Sequence, residues 1–243
     1  EAYLLENKII DSETIKTWKK EITKEVAEGF KRATETEKIV PNTATELADM
    51  FAPYSYKETL PVGIKKEMRL IDAISDGLRL AMRKHDNLVL MGQDIADYGG
   101  VFKVTEGFLN EFGEERVRNT PLCESAIVGA ALGLSINGFK AMMEMQFSDF
   151  VTVGFNQIVN NLAKIHYRWG QNADVVVRMP TGAGVAAGPF HSQSTEGWFF
   201  HTPGLKIIYP SSPREAKGLL IAAFEDPNPV LFFEHKGLYR SIS

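Results

Sequence analysis

One acidic residue, Glu124, is distinguished by its neighbours along the chain. It follows residues 118–123 (RNTPLC), whose proline marks a turn, and it precedes an apolar run rich in small residues over 127–136. Acidic side chains are rarely buried, so an acid at the start of a core helix needs a partner or a chemical role. A carboxylate there can also simply complement the helix dipole, and local sequence leaves that interpretation open.

A second candidate is His191, in the sequence FHSQS that follows the glycine-rich residues 181–188. A histidine titrates near neutrality and can therefore donate or relay a proton, although a surface histidine in a loop is the alternative. The glycine-rich residues do not read as a phosphate-binding P-loop, because they lack its terminal Lys-Ser/Thr and have no GxGxxG spacing.

After Arg69 the chain alternates short apolar runs with helical patterns, which predicts an α/β fold with a mainly parallel sheet and helices on both faces. Ligands of such sheets bind at the carboxyl ends of the strands. Loops at those ends hold Gln93 and Asp94, Gln146 and Phe147, and residues 181–188. The predicted strands are 88–91, 141–145, 175–179, 205–209 and 230–233, and the predicted helices are 71–85, 104–112, 127–136, 151–167 and 213–224.

Residues 1–66 differ from the rest. Asp11 and Ser12 can cap a helix whose apolar residues, from Ile15 to Ala33, recur at steps of three and four. This amphipathic helix has no core of its own and must place its apolar stripe on another surface. Beyond it, three prolines interrupt a stretch that reads as a linker, so we place a domain boundary between residues 66 and 67.

Composition excludes several classes of protein. The 44% hydrophobic and 24% charged content is that of a globular protein, and a formal charge of −4 gives no basic footprint for nucleic acid or anionic membrane. The single cysteine, Cys123, cannot form an internal disulfide and suits a reducing compartment, so we expect a cytoplasmic protein. A lone thiol is usually a small apolar side chain, and we assign it no chemistry.

From Arg69 to Arg240 the chain resembles the beta subunit of thiamine-diphosphate-dependent 2-oxo acid dehydrogenases, in their branched-chain and pyruvate decarboxylating components. The order and spacing of the matching motifs make a chance resemblance improbable. They are LVLMGQDI, GGVFKVTEG, NTPLCES, MEMQFSDF, FNQIVNNLAK, FHSQS, HTPGLKIIYPSSPREAKGLL, DPNPVLFFE and LYR.

The resemblance implies a cofactor site in a transketolase-like pyrimidine-binding domain. Glu124 would bind the aminopyrimidine ring nitrogen of thiamine diphosphate, with Leu122 and Phe150 on either side of the ring. Many branched-chain members carry tyrosine in place of Phe150, so a hydroxyl contact is lost here while stacking is retained. From residue type alone Phe150 reads as a core aromatic. Gln146 would line the pocket, and His191 would serve acyl transfer to the lipoyl group.

The resemblance also implies ions. Magnesium and the diphosphate would be held by an alpha part, whose glycine-aspartate motif does not occur in this sequence. A structural potassium ion would bind near one strand, although the DPNP sequence there is also simply a turn. Its ligands would be the backbone carbonyls of Ala173, Val175, Val176 and Ala223, together with Asp226 and Asn228.

Residues 1–66 resemble the C-terminal tail of an alpha subunit, through YLLENKII, a charged helix and TATELADMFAP, which suggests a fused alpha–beta polypeptide. The implied partners are an alpha-type domain of the same enzyme, the lipoyl domain of an acyltransferase and further copies in a homo-oligomer. The chain stops at Ser243, before the domain that would follow in a beta subunit, so we expect it to be inactive alone.

The motifs leave two substrates possible. Our first choice is a branched-chain 2-oxo acid such as 2-oxoisovalerate, and the second is pyruvate. The motifs occur in both groups. Two other interpretations remain: a transketolase-like enzyme, which the FHSQS and LYR motifs disfavour, and a non-catalytic assembly module. The latter would use the small residues Gly129, Ala130, Ala131 and Gly133 for close helix packing.

Overall fold

The structure is a computed structural model that describes every residue from Glu1 to Ser243. The chain divides into two compact units, Glu1–Thr43 and Ala44–Ser243. The first contains helices α1 (Ala2–Glu6) and α2 (Ser12–Glu35). The carboxylate of Asp11 caps α2 by accepting from the Thr14 N–H at 2.7 Å, which confirms the predicted amphipathic helix. The sequence boundary at residues 66 and 67 is a different division, and the alpha-subunit-like origin of 1–66 stays a prediction.

The second unit is built on one parallel sheet of six strands, in the order β2-β1-β3-β4-β6-β5. None of the helices has both the length and the apolar composition needed to cross a membrane. The strands are β1 (Leu88–Gly92), β2 (Val117–Asn119), β3 (Lys140–Glu144), β4 (Val175–Thr181), β5 (Lys206–Ile208) and β6 (Val230–His235). The helices are α3 (Thr43–Ala48), which starts at the unit boundary, α4 (Leu70–Lys84), α5 (Phe108–Phe112), α6 (Glu124–Ile136), α7 (Val151–Asn156), α8 (Ile165–Trp169) and α9 (Pro213–Glu225).

The four central strands of the sheet are buried on both faces, because their successive side chains enter different cores. In β1, Leu88 and Leu90 pack with residues of α4 and α9, whereas Val89 and Met91 pack with residues of α6. This alternation explains why the strands read as continuous apolar runs in the sequence. The predicted α/β fold with a parallel sheet is confirmed.

Two predicted helices are shorter than expected. Residues 104–107 are turns rather than the start of a helix, because Gly107 has a φ of 79° and the Thr105 hydroxyl donates to the Ile95 carbonyl at 2.7 Å. Residues 151–167 contain a π-helical segment, Gln157–Leu162, between α7 and α8. Its polar side chains bond to one another, as in the Asn161–Gln157 contact, and such residues compete with regular helical bonding. The short strand β2 is absent from the predictions.

Candidate active site

The carboxyl edge of the sheet collects the candidate residues. Gln93 and Asp94 follow β1, and Gln146 lies two residues beyond the end of β3. Glu124 begins α6 just after β2, and His191 lies in a 3-10 helix, Pro189–His191, beyond β4. Parallel strands present their carboxyl ends at one edge, so segments distant in sequence meet there.

Glu124 is the first residue of α6 and is only 8% exposed. The Gln93 side chain, itself buried, donates from Nε2 to Glu124 Oε1 at 3.2 Å. The helix N-terminus favours negative charge at this position. Gln93 therefore engages one carboxylate oxygen, and Oε2 is the oxygen that remains for a ligand.

Gln146 is linked to the same segment from β3. Its Nε2 lies 3.3 Å from Asp94 Oδ2 and 3.5 Å from the Gln93 carbonyl oxygen. Asp94 has a left-handed backbone, with a φ of 58°, which turns the chain sharply after Gln93. Gln146 therefore contacts the two residues after β1, one of which bonds to Glu124.

Three rings form an aromatic wall, consisting of Phe147, Phe150 and His191. The His191 ring lies edge-on to Phe147 at 4.6 Å and to Phe150 at 5.4 Å between centroids, and the two phenylalanines are 5.9 Å apart. His191 and Phe150 are half-buried, so each keeps surface for a ligand. His191 Nδ1 is buried without a hydrogen-bond partner.

Leu122 differs from the other predicted cofactor-binding residues. Its side chain is 81% exposed although Glu124, two residues later, is buried. The structure thus links Glu124 and Gln146 through Gln93, and joins Phe150 to His191 through ring contacts. It leaves Leu122 on the surface beside them.

The glycine-rich segment after β4 serves close packing. Gly184 has a φ of 127°, and a Cβ added to it would lie 2.8 Å from the Gly237 Cα atom. A side chain on Gly182 would likewise meet the His235 ring at 2.7 Å. Glycines are needed here because the loop leading to His191 lies directly against the segment that follows β6.

A buried ion network of Glu144, Arg178, Glu234 and Tyr239 underlies this edge. Arg178 donates from Nη1 to Glu144, and from Nε and Nη2 to the two oxygens of Glu234, each at 2.6 Å. The Tyr239 hydroxyl also donates to Glu234 at 2.6 Å. The network ties together the ends of β3, β4 and β6.

Burial dominates the protonation of this network. It raises the pKa of Glu144, although Arg178 acts in the opposite direction. Burial alone would lower the pKa of Arg178, but the charges of Glu234 and Glu144 raise it above its usual value. The pKa of Tyr239 is raised by burial and by the adjacent Glu234.

The residues proposed for potassium lie together, but their side-chain oxygens are already engaged. Asp226 accepts from the backbone and side-chain N–H groups of Asn228, at 3.0 and 2.8 Å, and from the Lys206 ammonium. Asn228 Oδ1 accepts from the Ala52 N–H at 2.7 Å. The carbonyl of Ala173 accepts from Val175 at 2.7 Å. The carbonyls of Val175 and Val176 lie within β4, and that of Ala223 lies in the last turn of α9, where Pro227 has no N–H to donate to it. This arrangement does not offer a ready set of free oxygens for a cation.

The residues around Glu124, by contrast, fit an aminopyrimidine ring. They provide a buried acid with one oxygen still to be paired, half-buried aromatic surface, and the buried Gln93 Oε1, which has no donor. A flat heteroaromatic ring with an acceptor nitrogen matches an acid and an aromatic wall.

Sequence reasoning missed Gln93 and Phe147 as site residues. Gln93 was recognised only as part of a loop, because a glutamine after a strand carries no chemical signal of its own. Phe147 lies in the same loop as the predicted Gln146, but a phenylalanine there indicates only apolar packing, so the sequence gives it no role in the site.

Comparisons with known proteins agree with this geometry. A family model described as "Transketolase, pyrimidine binding domain" matches residues 66–241. The chain therefore belongs to the transketolase pyrimidine-binding domain family. A solved structure entitled "Split gene transketolase, inactive beta4 tetramer" shares the fold, with a TM-score of 0.58 and 18% identity over 73% of this chain and 54% of that chain.

Relatives with higher identity are beta subunits of 2-oxo acid dehydrogenases. The mitochondrial 2-oxoisovalerate dehydrogenase subunit beta of Dictyostelium discoideum is 46% identical over 77% of this chain and 51% of the relative. In Bacillus subtilis, 2-oxoisovalerate dehydrogenase subunit beta is 48% identical and pyruvate dehydrogenase E1 component subunit beta is 45% identical, each over 72% of this chain and 54% of the relative. The chain spans about half the length of the curated relatives that it matches. The resemblance of residues 69–240 to these beta subunits, drawn from the sequence motifs, is confirmed.

Proposed function

We propose that this chain supplies the aminopyrimidine-binding half of the active site of a thiamine-diphosphate-dependent 2-oxo acid dehydrogenase. The complete enzyme decarboxylates a branched-chain 2-oxo acid of the 2-oxoisovalerate type and acylates lipoyl-lysine of an acyltransferase. The observation that carries the proposal is Glu124, a buried acid at the carboxyl edge of the sheet that is oriented by Gln93. The names of the relatives support the same class of enzyme.

The chain's residues divide the chemistry between them. When bound, thiamine diphosphate would supply a nucleophilic thiazolium carbon and an electron sink for decarboxylation of the 2-oxo acid. Glu124 holds a proton at Oε2 towards the aminopyrimidine nitrogen, and its buried surroundings strengthen that hydrogen bond. Phe150 and Leu122 cover the ring with apolar surface, and Gln146 lines the pocket. His191 moves a proton at its imidazole while the acyl group passes to the lipoyl sulfur.

Other parts of the active site come from partners. An alpha-type domain of the same enzyme holds magnesium and the diphosphate, and a lipoyl domain receives the acyl group. The enzyme is a cytoplasmic homo-oligomer, and this chain alone is inactive. A structural potassium ion at Asp226 would have to displace the Lys206 ammonium, so potassium has no part in the steps above.

The test is single-turnover decarboxylation by the complete enzyme carrying Glu124→Gln, offered 2-oxoisovalerate and pyruvate in turn. We expect the rate to fall by roughly 10²-fold or more, since general acid–base catalysis contributes about 10²–10⁴-fold. Glu114→Gln, which changes an exposed acid just before β2, is the matched control and should keep the wild-type rate. Subunit assembly is measured for both variants by light scattering.

Each outcome separates one interpretation. A lower decarboxylation rate in Glu124→Gln with intact assembly supports the catalytic role of Glu124. The substrate that the wild-type enzyme prefers distinguishes the branched-chain enzyme from pyruvate dehydrogenase. An unchanged rate would mean that Glu124 is a structural acid at a helix start. Failure to acylate a lipoyl domain, with sugar-phosphate transfer instead, would favour a transketolase-like enzyme.

A further inference from the structure

The backbone immediately after His191 is held by one buried carboxylate. Asp149, only 6% exposed, lies in the 3-10 helix Ser148–Phe150 that follows β3. Its Oδ1 atom accepts from the N–H groups of Ser192 and Gln193, at 3.1 and 3.0 Å, and from Gln193 Nε2 at 3.1 Å. These are the two residues that follow His191, so the position of the histidine depends on Asp149.

A second buried charge, Lys236, is influenced electrostatically by Asp149. Asp149 Oδ2 and Lys236 Nζ are both buried and neither has a hydrogen-bond partner. Lys236 is 5% exposed and begins the 3-10 helix Lys236–Leu238 after β6. Burial lowers the pKa of Lys236, and the negative charge of Asp149 opposes that effect. Since a lone buried charge is strongly unfavourable, the attraction of Asp149 favours the charged form of Lys236, although no hydrogen bond joins these two atoms.

Lys236 and His191 both contact the ring of Phe147. Its Nζ lies 5.0 Å from the centroid of Phe147, and the edge-on His191 ring is 4.6 Å from that same phenylalanine. A cation over an aromatic face is attracted to it, which restricts the position of the ring. His191 has no hydrogen bond at Nδ1 to fix its own orientation. Its ring is therefore oriented by Phe147 and Phe150, and its backbone by Asp149.

We propose that Lys236 and Asp149 are positioning residues for His191, which act together through the Phe147 ring and the backbone of residues 192–193. This inference rests on the proposed function, in which His191 serves acyl transfer. Asp149 bonds to the residues after His191, Lys236 contacts Phe147, and neither bonds to Gln93 or Glu124. Their removal should therefore affect acylation of the lipoyl group more than decarboxylation.

The experiment compares the two half-reactions in the complete enzyme. Decarboxylation is followed with an artificial electron acceptor, and acyl transfer is followed with an isolated lipoyl domain. Lys236→Met and Asp149→Asn should lower the ratio of acyl transfer to decarboxylation by about 10-fold or more, a part of the ~10²–10⁴-fold that a positioned acid–base group contributes. Both variants should also shift the pH profile of acyl transfer. Lys236→Arg, which keeps the cation, should lower the ratio of acyl transfer to decarboxylation less than Lys236→Met does.

Two further variants complete the test: one replaces Lys236→Met or Asp149→Asn if either unfolds, and the other is a control. Gln193→Leu removes only the exposed side-chain donor to Asp149 and should lower the ratio by a smaller factor with the same pH shift. Lys103→Met is the matched control, because this exposed lysine also lies over a ring, Tyr98, and should leave the ratio unchanged.

The failures are distinguishable. Equal losses in both half-reactions, or a ratio unchanged in Lys236→Met, Asp149→Asn and Gln193→Leu, would overturn the inference. An unchanged ratio in His191→Asn would instead overturn the role given to His191 itself. An unchanged decarboxylation rate in Glu124→Gln would refute the proposed function.

Discussion

Replacing Arg178 with methionine should destabilise the protein by leaving two buried carboxylates without their cation. Arg178 is fully buried and makes three hydrogen bonds of 2.6 Å to Glu144 and Glu234. Removing one partner of a buried ion pair costs about 3–5 kcal/mol. Since 1 kcal/mol corresponds to roughly 2–4 °C in a domain of this size, we expect Tm to fall by about 10 °C.

The loss should also depend on pH. Burial raises the pKa of Glu144, so the folded state binds this proton more tightly than the unfolded state does. For a group of this kind, stability decreases as pH rises from the unfolded pKa, about 4.3, towards the higher folded pKa. Without Arg178, whose charge opposes this effect, the pKa of Glu144 rises further. The deficit in Tm of Arg178→Met should therefore be smaller at pH 5 than at pH 8.

Thermal unfolding followed by circular dichroism from pH 5 to 8 measures this prediction. Arg178→Lys is the matched control, since it keeps a cation but loses the two-point contact with Glu234. It should lose less stability than Arg178→Met and show a weaker pH dependence. If the two variants lost the same stability at every pH, the contribution of Arg178 would be packing and not charge compensation, and the reasoning would be refuted.

Two further predictions concern the cofactor and ion sites. Gln93→Leu should weaken thiamine diphosphate binding about tenfold, because it removes a hydrogen bond of roughly 1.5 kcal/mol that orients Glu124. Gln93→Glu should make binding weaken with rising pH, because two acids then face each other. Fluorescence titration of the complete enzyme measures both, and equal affinity in all three proteins would contradict the role of Gln93. Lys206→Met frees Asp226, so Tm in potassium chloride should exceed Tm in choline chloride by more in this variant than in the wild type. An equal difference in both proteins would exclude competition between Lys206 and the ion.

The fold could be predicted from the sequence wherever apolar pattern alone determines structure. The runs that became β1, β3, β4 and β6 are apolar because the sheet is covered on both faces there, and a capping residue such as Asp11 marks a helix start. The failures occur where tertiary contacts override local preference. Gly107 adopts a left-handed turn inside a predicted helix, and β2 contributes only three residues at the edge of the sheet.

The candidate site was predictable to the extent that its residues have distinctive chemistry. Glu124 and His191 could be selected because an acid in an apolar context and a loop histidine are unusual. Gln93, Asp149 and Lys236 could not, because an amide, an acid and a lysine in loops normally indicate exposed surface. Their burial depends on which strand ends are neighbours, and that order, with β4 between β3 and β6, does not follow from local pattern.

The exposure of Leu122 is consistent with the proposed division of the active site. An apolar side chain that binds a ring need not be buried before the ring arrives, and its surface is then removed from water at about 25 cal/mol per Å². Phe190, beside His191, is likewise 74% exposed, so exposed apolar surface lies next to both Glu124 and His191. Glu124 and the Phe147 ring, in contrast, are buried by this chain itself. The chain thus fixes its acid and its aromatic wall in advance, and in the proposed division of the active site the cofactor and the alpha-type domain would cover the outer apolar side chains.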